Sequence, residues 1–217
     1  MRHFVKGPSQ MEFESWKALA NNDWQPTYDD LHNPEKRKLH QALLDEQGQV
    51  CCYCGRTISL TDSHIEHFRP QQLHEDLALS FDNLLASCIR ETEPSTPLHC
   101  GHAKGNEFDE NLHISPLDPS CERRFIYTLT GSILPGDAAD VKATYMRDLL
   151  QLDIDFLCNR RQEALTKVFD EDFIGSATDK ELETLATVFR ERNTDGHLES
   201  FGHALARYAE QLLGRTV

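Results

Sequence analysis

The spacing of apolar residues predicts helices at both ends of the chain. Between residues 10 and 47, an apolar stripe recurs at helical intervals and consists of Met11, Phe13, Trp16 and Leu19. A second helix in this range is predicted to begin with Asn33 as its N-cap and Pro34 at its first position, and to stop near Gly48. Residues 1–47 are therefore expected to form an N-terminal helical segment.

Helical spacing returns from Asp140 onward, in four successive stripes. The third stripe follows Thr178 and Glu181, whose spacing is that of a capping box. The apolar positions are Val141, Tyr145, Leu149 and Leu152, then Phe156, Leu157, Leu165, Val168 and Phe169, then Leu182, Leu185, Val188 and Phe189, and finally Leu198, Phe201, Leu205, Tyr208 and Leu212. Such stripes are typical of the core-facing sides of amphipathic helices, and we assign them no chemistry.

The chain between the helical ends has a different pattern. Residues 48–110 are short runs broken by cysteine, glycine, histidine and proline, which indicates a small module organised by metal. Residues 125–129 and 132–134 flank Thr130-Gly131 and predict a β-hairpin. We therefore expect the helical segment at 1–47, the metal-organised module at 48–110, and the hairpin with a helical, partner-binding region at 111–217.

Composition and charge narrow the class of protein. The 217 residues are 39% hydrophobic, and no run of eighteen apolar residues predicts a membrane span. The N-terminal residues lack the apolar segment of a secretory signal, so we expect a cytoplasmic protein with no membrane partner. The net charge of −14 repels a polyanion at long range. A nucleic-acid substrate would therefore need a second, more basic protein to help hold it.

Four of the seven cysteines are predicted to hold a structural zinc ion. The odd number and the lack of an export signal argue against a disulfide framework. Cys51 and Cys54 form one half-site, and Cys88 and Cys100, with eleven residues between them, are the candidates for the other. Cys52 and His99 are spare ligands that could replace a neighbour. The alternative is that the cysteines are reduced, buried side chains.

Residues near these half-sites suit phosphodiester hydrolysis, which needs a base to activate water and a cation to neutralise the phosphate. The carboxylate of Glu66 suits a hard cation, and the imidazole of His67 suits deprotonation of water near neutral pH. Neighbours on a strand point to opposite faces, so bringing both to one site requires a local distortion at the strand end. Asn83 is predicted to orient the imidazole, His102 to be a second metal ligand, and Lys104 to contact the substrate phosphate.

Each of these residues also has a structural interpretation. Asn83 could be a turn residue, and Lys104 could be a solvated side chain. His64, three residues before His67, could be a ligand, but a solvent-facing side chain with no role is the favoured interpretation. The joint order, an acid–His pair, Asn-Leu, Cys and then Cys-x-His-x-Lys-Gly, favours the catalytic interpretation.

This order resembles the zinc-bearing kind of HNH, or ββα-metal, endonuclease. In that family a CxxCG knuckle precedes an Asp-His pair with a following proline, then an Asn-Leu, and a cysteine five residues past the Asn. Here Pro70 follows Glu66-His67, and Cys88 lies five residues after Asn83. The resemblance implies an α+β, mainly α-helical fold in which a zinc-stapled ββα-metal module is flanked by N-terminal helices and a C-terminal helical region.

The same resemblance implies roles for individual residues. His67 looks like the general base, Asn83 its positioner, and Glu66 and His102 the ligands of a catalytic Mg²⁺ or Mn²⁺. Three features depart from the family pattern. Glu66 replaces an Asp, the second pair of cysteines has eleven intervening residues instead of two, and Gly101 stands where many members carry His or Asn.

The resemblance extends over most of residues 48–170, where the segment from Ile114 to Gly131 looks like the region after the nuclease motif in PtuB-type proteins. Those are the HNH components of Septu and retron anti-phage systems. This implies a nuclease acting on DNA or RNA such as tRNA, held by an ABC-type ATPase similar to PtuA, sometimes with a reverse transcriptase and its RNA–DNA product.

Three alternatives are weighed against that interpretation. A restriction-like nuclease acting alone would be favoured by a basic DNA-reading segment, and the sequence shows none. A thiol redox protein built on Cys51 and Cys54 would need βαβ surroundings, which are missing. A non-catalytic zinc-ribbon interaction module with vestigial nuclease residues is the alternative from outside the enzymes.

Overall fold

The computed structural model describes residues 1–89, 91–92 and 94–214, which combine helices with two small antiparallel sheets. About 39% of the chain is helical. The helices are α1 Met11–Lys17, α2 Glu35–Glu46, α3 Gly101–Lys104, α4 Val141–Leu149, α5 Asp155–Thr166, α6 Glu171–Ser176, α7 Asp179–Val188 and α8 Gly202–Leu212. The strands are β1 Ser63–His67, β2 Leu84–Cys88, β3 Phe125–Tyr127 and β4 Ile133–Pro135.

The N-terminal segment contains the two predicted helices, but the first is shorter than the apolar stripe indicates. The side chain of Gln10 caps α1 by accepting from Phe13 N, and Phe13 is fully buried. Leu19 lies beyond the helix and is 64% exposed, so its assignment to the buried stripe is wrong. Asn21 Oδ1 accepts from the backbone N–H groups of Asp23 and Trp24, and this local turn replaces the helix.

The first sheet pairs β1 with β2, and α2 packs against it. Its register runs from Ser63 opposite Cys88 to His67 opposite Leu84, without interruption. All five residues of β2 are buried. The buried side chain of Gln47, just after α2, accepts from Ala86 N at 2.7 Å and donates to Ala86 O at 2.9 Å. The amide of Gln47 therefore makes the two hydrogen bonds to Ala86 that the backbone of an adjacent strand would make. These bonds hold the end of α2 against β2.

The predicted hairpin is confirmed as β3 and β4, in which Tyr127 pairs with Ile133. Gly131 in its turn has a φ of +81°, and a Cβ there would lie 1.9 Å from the carbonyl oxygen of Cys158. The guanidinium of Arg161 is buried beside this turn and donates to the carbonyls of Gly131 and Leu152. The glycine thus lets α5 approach the turn, and the arginine satisfies the carbonyls that become buried there.

The C-terminal helices are present, but α4 has a different buried face from the predicted one, and the stripe residues Val188 of α7 and Leu212 of α8 are exposed. In α4 the buried positions are Ala143 and Met146, whereas Val141 is 66% exposed, so Val141 was wrongly assigned to the core stripe. Asp140 caps α4 through Ala143 N, which sets where the helix begins. The capping box of Thr178 and Glu181 is confirmed at the start of α7.

Buried apolar side chains form two clusters. The first includes residues from all three predicted parts, for example Leu43, Leu85 and Met146. The second lies between α5, α7 and α8 and includes Leu165, Leu182 and Leu205. The domain boundaries at residues 47 and 110 stay a prediction. Within the described ranges, no helix has the length and apolar character needed to cross a bilayer.

Candidate metal centre and active site

Four buried cysteines converge at the end of the first sheet. The sulfur atoms of Cys51, Cys54, Cys88 and Cys100 all lie within 4.8 Å of one another. The sulfurs of Cys54 and Cys88 are 3.6 Å apart. Tetrahedral zinc with Zn–S bonds of about 2.3 Å places its sulfurs about 3.8 Å apart. The predicted set is therefore brought together, and it can hold a structural metal such as zinc.

Local backbone conformation explains how the sulfurs meet. Cys51 and Cys54 lie on a tight turn closed by a hydrogen bond from Gly55 N to the carbonyl of Cys51, at 3.0 Å. Gly55 has a φ of +74°, and a Cβ there would lie 2.2 Å from the ring of His203. Cys88 is the last residue of β2, and Cys100 immediately precedes α3. The turn thus supplies two of the four sulfurs, the end of β2 supplies the third, and the residue before α3 supplies the fourth.

The two spare ligands differ in their relation to this cluster. Among the described residues, the metal-competent group contains the four predicted cysteines and does not include Cys52. His99 Nδ1 lies 3.2 Å from the sulfur of Cys100 and 3.6 Å from that of Cys88. Burial lowers the pKa of His99 to about 4, so its imidazole is neutral at pH 7. His99 therefore contacts the cluster as a neutral ring.

The close contact of the thiols shifts their pKa values in opposite directions. Burial opposes ionisation, but hydrogen bonds from Cys100 and the other neighbouring thiols hold the pKa of Cys51 well below its usual value. Burial and the same neighbours raise the pKa of Cys100. Four buried thiolates require a compensating cation. The arrangement thus favours a bound metal that replaces the thiol protons.

Glu66 lies in the middle of the first sheet, paired with Leu85 of β2, and is almost fully buried. Its Oε1 accepts from the hydroxyl of Tyr53 at 3.0 Å and pairs with Lys104 Nζ at 2.7 Å. Its Oε2 lies 3.2 Å from His64 Nε2. Burial raises the pKa of this carboxyl, but His64 and Lys104 outweigh it and lower the pKa below its usual value. Glu66 is therefore an ionised carboxylate whose position is fixed by its contacts with Tyr53, Lys104 and His64.

Lys104 points into the protein. Its side chain is 1% exposed, and besides Glu66 its Nζ donates to the carbonyl oxygens of His67 at 2.6 Å and Phe68 at 3.1 Å. These three acceptors match the three hydrogens of an ammonium group. Lys104 thus connects α3 to the end of β1 and orients Glu66. Its predicted contact with substrate phosphate stays a prediction.

His67 occupies the face of β1 opposite to Glu66. The regular register up to His67 gives the ordinary alternation of side chains. The local distortion expected from the sequence is therefore wrong, and the side chains of Glu66 and His67 point to opposite faces of β1. Its Nε2 donates to the carbonyl of Ala78 at 3.0 Å, and its ring packs edge-on against Tyr28 with centroids 4.4 Å apart. Burial lowers the pKa of His67. The ring is thus neutral at pH 7, with Nδ1 as the nitrogen that can accept a proton.

Asn83 acts on the backbone near His67. Its Oδ1 accepts from Arg69 N at 2.8 Å, and its Nδ2 donates to the carbonyls of Arg69 at 3.0 Å and Leu77 at 3.2 Å. Leu77 immediately precedes Ala78, whose carbonyl orients His67. Asn83 therefore closes the loop that carries the carbonyl partner of His67. This is an indirect form of the predicted positioning role.

Two histidines share one carbonyl oxygen next to Glu66. His64 Nδ1 and His102 Nε2 both donate to the carbonyl of Ile89, and their rings lie 4.5 Å apart. Burial lowers the pKa of His64, but its contact with Glu66 is stronger and raises it overall. From the sequence, His64 was a possible ligand, but a solvent-facing side chain was the favoured interpretation. Its spacing of two residues from Glu66 was the available signal, because residues i and i+2 share a strand face.

A groove of about 460 Å³ opens beside these residues, between α2 and β1. Its lining includes Tyr28, Lys36, Arg37 and His64. Lys36 Nζ lies 4.5 Å from the centre of the Tyr28 ring, which in turn packs on His67. The groove therefore brings two positive side chains close to both faces of β1.

Comparison with known proteins agrees with this chemistry. The chain matches no protein-family model. It is 30% identical over 103 residues to a Vibrio cholerae serotype O1 biovar El Tor protein named "Retron Vc95 putative HNH endonuclease". The alignment covers 46% of this chain and 48% of that protein, so the chain spans about half the length of its curated relative. The resemblance to HNH endonucleases, in a retron context, is thereby confirmed.

Proposed function

We propose that this protein is a metal-dependent HNH endonuclease that hydrolyses phosphodiester bonds of DNA or tRNA. One observation carries the proposal. At the end of β1, a neutral imidazole held by a backbone carbonyl and an ionised, buried carboxylate occupy consecutive positions, His67 and Glu66. General-base hydrolysis and divalent-cation binding require this pair of groups. The relative named for the same activity supports the proposal.

The proposed mechanism assigns proton transfer to His67. Ala78 O holds the Nε2–H, and Nδ1 takes a proton from a water molecule as that water attacks phosphorus. The alkoxide that leaves phosphorus takes a proton from solvent. A divalent ion bound by Glu66 and an imidazole would neutralise the phosphate charge. Lys36 and Arg37 in the groove supply further positive charge for the nucleic-acid backbone.

We assign the cysteine cluster a structural role with zinc. All four sulfurs are buried and mutually in contact, which leaves no open coordination position for a substrate. Hydrolysis is therefore assigned to the Glu66–His67 site.

The biological setting we propose is a retron- or Septu-type anti-phage system, in which the nuclease is held by an ABC-type ATPase similar to PtuA. A retron reverse transcriptase with its RNA–DNA product is a further candidate partner. The name of the relative supports the retron setting. The net charge of −14 supports a partner that contributes binding to nucleic acid.

The alternative is a zinc-stabilised interaction module without catalysis. It is favoured by the ion pair of Glu66 with the buried Lys104, which already neutralises the carboxylate that a catalytic cation would use. A catalytic ion must bind at Glu66 in spite of this pair, whereas an interaction module requires no such ion.

A cleavage assay tests the proposal. Plasmid DNA and total tRNA are incubated with the full chain in Mn²⁺, Mg²⁺ or EDTA, alone and, if the operon encodes an ABC-type ATPase, together with that ATPase. We expect metal-dependent cutting that His67→Ala reduces by about 10²- to 10⁴-fold. The control is His197→Ala, which removes an exposed imidazole. Unchanged cutting in His67→Ala would refute the assigned base, and no cutting by the zinc-bound wild type under any condition would favour the interaction module.

A further inference from the structure

We propose that His64, and not His102, supplies the imidazole that joins Glu66 in binding the catalytic divalent ion. The inference rests on the proposed function and refines its metal site. It departs from the ligand set predicted from the sequence, in which His102 is the partner of Glu66.

The distance between the two groups suits a shared ion. His64 Nε2 lies 3.2 Å from Glu66 Oε2. Adjacent ligands of an octahedral ion at 2.1–2.2 Å are about 3 Å apart. The other carboxylate oxygen, Oε1, is the one held by Tyr53 and Lys104. An ion between Nε2 and Oε2 can therefore bind while the hydrogen bonds that position Glu66 stay in place.

The hydrogen bonding of His64 fixes which nitrogen faces the carboxylate. Nδ1 donates its hydrogen to the carbonyl of Ile89. With Nδ1 committed to Ile89, Nε2 is the ring nitrogen that faces the carboxylate, so Nε2 and Oε2 are the two atoms that a divalent ion can share. Metal-binding histidines typically donate their second N–H to a backbone carbonyl or carboxylate, which orients the ring. His64 has that arrangement.

Gly101 makes room for this pair. A Cβ at position 101 would lie 2.2 Å from Glu66 Oε2 and 2.8 Å from His64 Nε2. Separations under 3.0 Å are not compatible with these side-chain positions. The first residue of α3 must therefore lack a side chain for Glu66 and His64 to approach each other. Strand β1 thus carries both proposed ligands, His64 and Glu66, and the glycine at the start of α3 leaves room for them to approach each other.

His102 is oriented differently. Its Nε2 donates to the same Ile89 carbonyl, and its ring packs beside that of His64. His64 contacts Glu66 and Ile89 and lines the groove beside α2. The groove gives a cation a path from solvent to His64. We assign His102 to packing against the ligand ring.

Electron spin-echo spectroscopy of bound Mn²⁺ tests the assignment, because imidazole nitrogen bound to Mn²⁺ modulates the echo. The zinc-loaded full chain is compared with His64→Gln, His102→Gln and His197→Gln, the last being an exposed control. We expect nitrogen modulation in the wild type that is lost in His64→Gln and retained in the other two. The dissociation constant of Mn²⁺ should rise at least about tenfold in His64→Gln.

The other outcomes separate the inference from the proposed function. Loss of modulation in His102→Gln with retention in His64→Gln would overturn the inference and leave the metal-dependent nuclease intact. Retention in both variants would likewise overturn it. Failure of the zinc-loaded wild type to bind Mn²⁺ would overturn the inference together with the metal dependence of the proposed function. Zinc content and circular dichroism confirm that each variant is folded, and a misfolded His64→Gln is replaced by His64→Asn in the same comparison.

Discussion

The two candidate metal sites differ in how the protein treats negative charge. At the cysteine cluster, four buried sulfurs contact one another, and burial with neighbouring thiols raises the pKa of Cys100. At Glu66, the protein supplies its own cation, Lys104, and a histidine beside the carboxylate. We therefore expect the first site to need a metal in order to fold, whereas the contacts of the second are made by protein groups alone. On the proposed function, the first ion would be structural and the second exchangeable.

The largest expected effect comes from removing a ligand of the structural ion. Cys54→Ser should release the zinc and unfold residues around 48–110, since a structural zinc contributes on the order of 10 kcal/mol to folding. Zinc content and thermal denaturation followed by circular dichroism measure the loss. Cys158→Ser, at a cysteine outside the cluster, is the control and should change stability by about 1 kcal/mol or less. Equal effects of the two substitutions would remove the distinction between the sites.

The next largest effect is expected from removing the ammonium group of Lys104, which pairs with Glu66. Lys104→Met should lower the free energy of unfolding by about 3–5 kcal/mol, because Glu66 is left as a buried, unpaired carboxylate. Adding Glu66→Gln should recover most of that loss. Urea denaturation measures both changes. The matched control is Lys167→Met, which breaks an exposed helical pair with Glu163 and should cost at most about 0.5 kcal/mol. A similar cost at both lysines would show that the buried pair does not support the site.

A smaller effect is expected at the loop that orients His67. Asn83→Ala removes three hydrogen bonds to loop backbone and should lower the free energy of unfolding by about 1–3 kcal/mol. Because Ala78 lies in that loop, cleavage should also fall, but by less than in His67→Ala. Asn111→Ala, at an exposed position, is the control. A normal cleavage rate in a destabilised Asn83→Ala would limit Asn83 to a structural role.

The smallest effect concerns the pH dependence of cleavage. Burial lowers the pKa of His67, and the base is active only as the neutral ring. The rate should therefore be constant near neutral pH and fall as pH decreases through a value below 6.5. Tyr28→Ala uncovers the ring and should move this fall to higher pH, since it removes part of the burial. The profile of kcat/KM against pH measures the shift, and a profile unchanged by Tyr28→Ala would mean that burial does not set this pKa.

The sequence predicted the four cysteines that the structure brings together, because their spacing along the chain marks two half-sites. Cys52 and His99 were kept as possible replacements, and the structure places Cys52 outside the group. The catalytic roles of Glu66 and His67 stay a prediction. The inward direction of Lys104 could not be inferred, because it depends on where α3 packs against the end of β1. The position of His64 was accessible in principle from strand alternation. Choosing it over His102 required the geometry at Gly101.

Tertiary and local contacts that the sequence pattern does not reveal also explain why some predicted core positions of the helices are exposed. Apolar periodicity placed Leu19 and Val141 in the core, and both are exposed. In each case a polar side chain, Asn21 or Asp140, fixes the backbone nearby through a local hydrogen bond. Such bonds decide where a helix begins or ends within one turn, which periodicity does not resolve.

The carbonyl of Ile89 belongs to the residue that follows Cys88, a sulfur ligand of the cluster. It is also the acceptor that orients the rings of His64 and His102. A single residue, Ile89, therefore lies between a proposed metal ligand and the acceptor shared by two imidazoles. If the cluster holds a structural ion, a thiol-oxidising agent that attacks Cys88 should disturb Ile89 without touching Glu66 or His67, so we expect the proposed hydrolysis to need a reducing environment.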